Sequence, residues 1–279
     1  MKTILAQALH VITCISVSIA VGGCTQAIGV VKSINGPTTA NAIQSYRPGT
    51  PAVVFEHGAD EDGKATWNEL IKQVGAIAPT YAFSRTGWGE EIFGEVPPVR
   101  LPSKAAHTLR QNLQKAGANP PYILVAHSIG SYYVLNFAQQ WPDEVASIIL
   151  IDGRMKNFTA LCKQYEGNLC DPTDNLLLLA MMPAAGRAEV LGEKNGRNEV
   201  PDAKQLAQIP VTLLYNNQKE FPHSDGFIRA WIQSQQDFSA GLINGESIAV
   251  PGGHFIHHTH PKLVLDVINK HINAVRDTQ

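Results

Sequence analysis

No surplus of charge of either sign marks this chain. Its 22 Lys and Arg stand against 24 Asp and Glu, a formal net charge of −2, and charged residues are only 16% of its 279 residues. Without a run of Lys or Arg there is no electrostatic footprint for nucleic acid. Aromatic residues are scarce at 7%, and four cysteines are too few for a chain of this length to be a disulfide scaffold. Internal repeats and low-complexity tracts are missing too, which excludes solenoids, coiled coils and collagen-like sequence. What remains is a chain with 44% apolar residues, enough to build a core and too many for disorder. The same composition excludes a polytopic membrane protein. The length fits one α/β domain of roughly 200–250 residues plus an address.

The address is residues 1–23. Lys2 is followed by residues 3–23 without Asp, Glu, Lys or Arg, as in a secretory signal. The run Ser18-Ile19-Ala20-Val21-Gly22-Gly23-Cys24 resembles a bacterial lipobox, in which the cysteine receives lipid. It implies an exported, envelope-anchored lipoprotein. Plain secretion and an uncleaved anchor are the alternatives, although Gln7, His10 and two glycines suit a permanent span poorly. Residues 24–45 read as a tether running into an edge strand. Cys14 falls in the signal, leaving Cys162 and Cys170, eight apart, to close a short loop in an oxidising compartment. Two buried thiols are the alternative; structural zinc would need closer spacing.

From residue 46 onward, short apolar runs alternate with amphipathic ones. Strands are expected at 52–56, 81–84, 122–126, 145–151, 211–215 and 247–250. Helices are expected at 66–77, 103–115, 130–140, 227–238 and 263–272. Continuous Val, Ile and Leu strands between such helices predict an α/β fold, a mostly parallel sheet covered on both faces. Residues 153–209 break the rhythm. A connection that long reads as a lid or cap. Its run Leu176-Leu177-Leu178-Leu179-Ala180-Met181-Met182 is either a helix buried in the core or the wall of an acyl site.

Ala126-His127-Ser128-Ile129-Gly130 closes a strand and opens a helix, the setting of a nucleophile elbow. Positions two before and two after the serine must be small. Gly130 meets this fully and Ala126 adds one methyl. A serine hydroxyl needs a base. Gly252-Gly253-His254-Phe255 follows the last strand, so His254 falls at the same sheet edge as Ser128. His257, His258 and His260 crowd the same stretch but lack the carboxylate or helical i, i+4 pairing of a metal site, so no metal is expected. His127 is expected to point into the packing.

On these blocks the chain resembles the α/β-hydrolase fold superfamily over roughly residues 46–275. The others are Phe55-Glu56-His57-Gly58-Ala59, Ser84-Arg85-Thr86-Gly87-Trp88-Gly89, Pro142-Asp143-Glu144-Val145, Leu150-Ile151-Asp152, and Gly253-His254-Phe255-Ile256-His257 with Pro261. The resemblance implies a Ser-acid-His order and oxyanion donors at the backbone of Ala59 and Ile129. Glu90 stands where relatives often carry serine. The acid departs from the commoner pattern: Asn216-Asn217-Gln218-Lys219-Glu220 holds no Asp. Asp152, after the preceding strand, is the leading acid, with Glu220 and then Asp225 as alternatives.

The function implied is a serine hydrolase of carboxylic esters with a small hydrophobic acyl substrate, no cofactor, no metal and no nucleic acid, touching membrane only through Cys24. An amidase, peptidase or thioesterase on the same fold is the alternative enzyme. A non-catalytic envelope-anchored binding protein is the alternative should the acid be missing.

Overall fold

The computed structural model describes residues 42–45, 49–59, 62–89, 96–206, 208–220 and 223–278. The signal and lipobox up to Cys24, the tether as far as residue 41, and Glu90 lie outside the described residues. Among the described residues, seven strands form one sheet: β1 (Ala42–Ser45), β2 (Ala52–Glu56), β3 (Thr80–Phe83), β4 (Tyr122–His127), β5 (Val145–Ile151), β6 (Val211–Asn216) and β7 (Gly245–Val250). Their order is β1-β3-β2-β4-β5-β6-β7. The edge strand β1 pairs antiparallel with β3, and the other six run parallel.

The central strands are buried on both sides, so successive residues serve opposite cores. Val54, Leu124, Leu150 and Leu213 face one core with helices α2 (Pro102–Lys115) and α3 (Gly130–Gln140). Val53, Val125, Ile149 and Leu214 face the other with α1 (Asn68–Val74), the short α8 (Ile256–Thr259) and α9 (Pro261–Arg276). This is the doubly covered sheet that period-two burial of apolar runs dictates. The chain leaves β2 outward to β3 and returns to β4 on β2's other side. The strand order therefore reverses between β2 and β4, and open α/β sheets place ligand crevices at the carboxyl ends beside such a point.

Boundaries shift where side chains intervene. The helix expected at 66–77 begins as a 3₁₀ turn, Gly63–Trp67, because the Lys64 amide donates to the Ser84 hydroxyl (3.0 Å) and Trp67 is fully buried against Phe55.

Between β5 and β6, residues 153–210 carry α4 (Phe158–Glu166), α5 (Leu176–Met181) and α6 (Ala184–Gly196). Cys162 and Cys170 are joined by a disulfide. With Phe158 they pack against Ala230 and Trp231 of α7 (Asp225–Ala240) in a small separate core. α6 lies against the Arg100–Pro102 segment so closely that a Cβ at Gly192 or Gly196 would collide with it. α6 takes the inner position, with Ala185, Gly186 and Ala188 buried, whereas α5 has no buried residue. Leu176, Leu177 and Met181 are 81%, 72% and 75% exposed, so the leucine run is not the buried helix of the sequence reading. Among the described residues, no helix is long and apolar enough to cross a membrane.

His271 on α9 is buried against the Thr212 hydroxyl (2.8 Å), and burial pulls its pKa down to about 4. A folded-state pKa below the unfolded value of about 6.5 means that the unfolded chain takes up the proton first as pH falls. Stability is then full above about pH 6.5 and lost toward pH 4, by up to about 1.4 kcal/mol per pH unit for this group. Thermal melts between pH 7.5 and 4.5 should show a shallower decline for His271→Gln than for wild type.

Candidate active site

Among the described residues, two that are not glycine have left-handed backbone: Ser128 (φ 52°) after β4 and Asp152 (φ 44°) after β5. Each costs on the order of 1–3 kcal/mol and persists only where surrounding structure fixes it. Here the neighbouring strands do. The Ser128 amide donates to the Ile151 carbonyl (3.2 Å), and the Asp152 amide donates to the Leu214 carbonyl (2.7 Å). The turn after Ser128 passes over the end of β2. A Cβ on Gly130 would stand 2.6 Å from the His57 carbonyl and 2.8 Å from that of Glu56. Gly130→Ala is therefore expected to cost about 1–3 kcal/mol. At roughly 2–4 °C per kcal/mol for a chain of this size, thermal unfolding followed by circular dichroism reads it.

The residues expected to converge do so. His254 Nδ1 lies 2.6 Å from Asp152 Oδ2, and His254 Nε2 lies 3.0 Å from Ser128 Oγ. A carboxylate only accepts, so Nδ1 carries the proton and Nε2 presents a lone pair to the serine. The other Asp152 oxygen accepts from the Asn216 amide (2.8 Å) and the Trp231 indole (2.7 Å). Asp152 is 1% exposed, and its buried carboxylate is matched by three donors, the Asn216 amide, the Trp231 indole and His254 Nδ1.

The alternative acids lie elsewhere. Glu220 Oε2 accepts from the backbone N–H of His254 (3.0 Å) and makes no bond to its ring. Asp225 is exposed and pairs with Lys219 (2.8 Å). The Asn216 side chain shapes the loop, accepting from Gln218 (3.0 Å) and Gly253 (3.3 Å) amides.

Histidines beside the site are packing elements. His127 donates from Nε2 to the His254 carbonyl (3.0 Å), and burial followed by the neighbouring His254 holds its pKa well below the ordinary value. His258 and His257 meet at the Thr66 hydroxyl (3.0 Å each), and His257 lies 4.5 Å from the Trp67 ring. Among the described residues no three His, Cys, Asp or Glu side chains converge as a metal site.

Ala59 and Ile129 follow β2 and β4, the two neighbouring strands between which the order reverses. Among the described residues neither N–H donates to any group of the protein. A cavity of about 180 Å³ opens beside Ser128 and His254, walled by Phe227, Ile228 and Trp231 of α7, by Arg154 and by His223. α5 is absent from its wall. A larger hollow, about 640 Å³, lies at the amino-terminal ends of β5 to β7, at the opposite sheet edge.

Sequence reasoning missed two supports. Trp231 holds the acid, and an indole N–H inside an apolar helix face was the available sign, since such a group needs a partner. Glu189 of α6 is 1% exposed and accepts from Arg85 (2.8 Å), Trp88 (2.8 Å) and Arg100 (2.6 Å). Glu189 carried no such sign, since a second carboxylate, Glu193, stands on the same helix.

Comparison with known proteins agrees with this geometry. The model of the Alpha/beta hydrolase family matches residues 53–267. A lipase of Mycobacterium tuberculosis, LipV, is 30% identical over 117 residues, 39% of this chain and 40% of the lipase. An uncharacterized Bacillus subtilis protein, YbdG, is 44% identical over 43 residues, 15% of this chain and 13% of that protein. The chain thus matches less than half the length of either curated relative. Among solved structures, a thermophilic esterase from Thermogutta terrifontis superposes with a TM-score of 0.57 at 17% identity, over 85% of this chain and 99% of that one. A 2-hydroxy-6-oxo-6-phenylhexa-2,4-dienoate hydrolase from Rhodococcus sp. strain RHA1 superposes with a TM-score of 0.60 at 16% identity, over 83% and 94%. At such identities these likenesses concern the fold.

Proposed function

Because the chain belongs to the alpha/beta hydrolase family, we propose that it is a serine hydrolase cleaving small carboxylic esters through an acyl-enzyme. The observation that carries this reading is the unbroken hydrogen-bonded line from Asp152 through His254 to Ser128. Ser128 Oγ attacks the ester carbonyl while His254 Nε2 takes its proton. Charge developing on the carbonyl oxygen is met by the Ala59 and Ile129 N–H groups, each worth about 3–4 kcal/mol where such donors have been removed. His254 then protonates the departing alcohol, and water repeats the sequence to release the acid and restore Ser128. Asp152 stabilises the imidazolium formed in each half.

The small cavity beside Ser128 favours short acyl groups. At about 180 Å³ it falls below the roughly 300–1,000 Å³ of pockets that take drug-sized ligands. Its Phe227, Ile228 and Trp231 walls favour an apolar chain. In this reading α5 does not touch the acyl group, and the segment between β5 and β6 acts on the site through Arg154 and Glu189. The address completes the proposal: the protein is exported and held at the membrane by lipid on Cys24, consistent with the Cys162–Cys170 disulfide.

The test is a fluorophosphonate probe followed by nitrophenyl esters of increasing acyl length. Labelling at Ser128, with butyrate or shorter esters turned over faster than decanoate, is the expected outcome. Folded protein that is never labelled sinks the enzyme reading. For the address, labelled palmitate should enter wild type, and Cys24→Ser should lose both label and membrane fractionation.

A further inference from the structure

The loop that follows β2 is held from behind by one guanidinium. Arg85 Nη1 donates to the His57 carbonyl (2.7 Å) and to Glu56, and Nη2 donates to the Gly58 carbonyl (2.7 Å). The backbone amide of Arg85 also donates to His57 Nε2 (3.1 Å), which leaves the proton on Nδ1. That Nδ1 donates to the same Gly58 carbonyl (2.7 Å), and burial followed by the charge of Arg85 keeps His57 neutral. The Gly58 carbonyl therefore accepts from two fixed donors. It belongs to the peptide unit whose N–H is that of Ala59. The unit is trans and planar, so a carbonyl turned toward Arg85 turns the Ala59 N–H the opposite way. On its other side Gly58 abuts the nucleophile: a Cβ there would stand 3.0 Å from Ser128 Cβ.

Arg85 is itself aimed. Its Nε donates to Glu189 Oε1 (2.8 Å), the carboxylate that also gathers Trp88 and Arg100, and its guanidinium lies 4.9 Å above the Tyr133 ring. Burial opposes the Arg85 charge, and Glu189 and Glu56 outweigh burial. We propose that Arg85, aimed by Glu189 from the β5–β6 segment, is a positioning residue that sets the Gly58–Ala59 peptide plane and so directs the Ala59 N–H into the oxyanion site. The inference rests on the serine-hydrolase reading for its catalytic meaning. A lysine at position 85 keeps the charge and the pairing with carboxylates. It lacks the planar fork that reaches two carbonyls and a third partner together.

The experiment uses the full-length chain and Arg85→Lys, Arg85→Ala and Glu189→Gln. For Arg85→Lys, kcat is expected to fall about 30- to 100-fold with KM within about threefold, the scale of a misplaced transition-state contact. Affinity for a trifluoromethyl ketone, whose adduct with serine carries an oxyanion, should fall by a similar factor. Glu189→Gln, which keeps an acceptor, should lose less. Guanidinium ion should partly restore Arg85→Ala, since a cavity of about 430 Å³ lined by Glu56, Ser84, Arg85 and Arg100 opens onto the position. A parallel readout needs no activity: the amide resonance of Ala59 should shift between wild type and Arg85→Lys while most core resonances stay in place. An unmoved Ala59 amide overturns the inference even where wild type is an active esterase, as does a loss of kcat without loss of ketone affinity. A moved amide in a wild type that fluorophosphonate never labels upholds the positioning of the peptide and sinks the hydrolase reading instead.

Discussion

Alanine at Ser128 is expected to lower kcat for short esters on the order of 10⁶-fold, the cost of removing a serine hydrolase's nucleophile. Labelling by fluorophosphonate should vanish with it. The fold should be untouched, because Ser128 Oγ bonds His254 at the surface of the sheet edge and supports no core. The backbone at this position adds a second, opposite effect. Serine and alanine pay the same strain at φ 52°, whereas glycine does not. Ser128→Gly should therefore be as inactive as Ser128→Ala and melt at a higher temperature. Equal melting temperatures for the two variants would mean that neighbouring strands, and not the residue, carry the strain.

Asparagine at Asp152 should cost about 10⁴ in kcat with the fold preserved, the scale known for triad acids converted to amides. The hydrogen bonds give the reason. One carboxylate oxygen is committed to the Asn216 amide and the Trp231 indole, both donors. The amide oxygen of an asparagine must take that place, which turns its NH₂ toward His254 Nδ1. Nδ1 then has to accept, so the imidazole proton moves to Nε2 and faces Ser128, the wrong tautomer for a base. Glu220→Gln should fall within about tenfold, since a glutamine oxygen still accepts the His254 backbone amide. Steady-state kinetics on both variants decides the matter, and the reverse ranking would transfer the acid to Glu220.

The sequence foretold the site best where chemistry is tied to a turn. Ala126, Ser128 and Gly130 are legible because a tight strand-to-helix turn admits so few side chains. Gly252 and Gly253 mark the His254 loop in the same way, with φ of 123° and 90°. The acid was legible only as a choice among three carboxylates. What selects Asp152 is the pairing of β5 with β6 and the arrival of Trp231 from α7, and local sequence does not say that the indole meets this acid. Glu189 was out of reach for the same reason, its partners lying 89 to 104 residues away. The leucine run misled because apolarity normally predicts burial. In the fold, the small residues of α6 occupy the inner position, and α5 is left outside.

The amides of Ser128 and Asp152 each extend a strand ladder by one rung, to Ile151 and Leu214. His254 has no such rung; its amide is held by the Glu220 carboxylate on an exposed loop. The three members of the line therefore belong to different cooperative units. Amide protons of Ser128 and Asp152 should exchange with solvent deuterium only through global unfolding, and that of His254 through local opening. In rising denaturant, activity is expected to disappear while the sheet is still intact, which esterase assays read alongside far-ultraviolet circular dichroism would check. On that expectation, loss of activity would report the fraying of the His254 loop and not the unfolding of the domain.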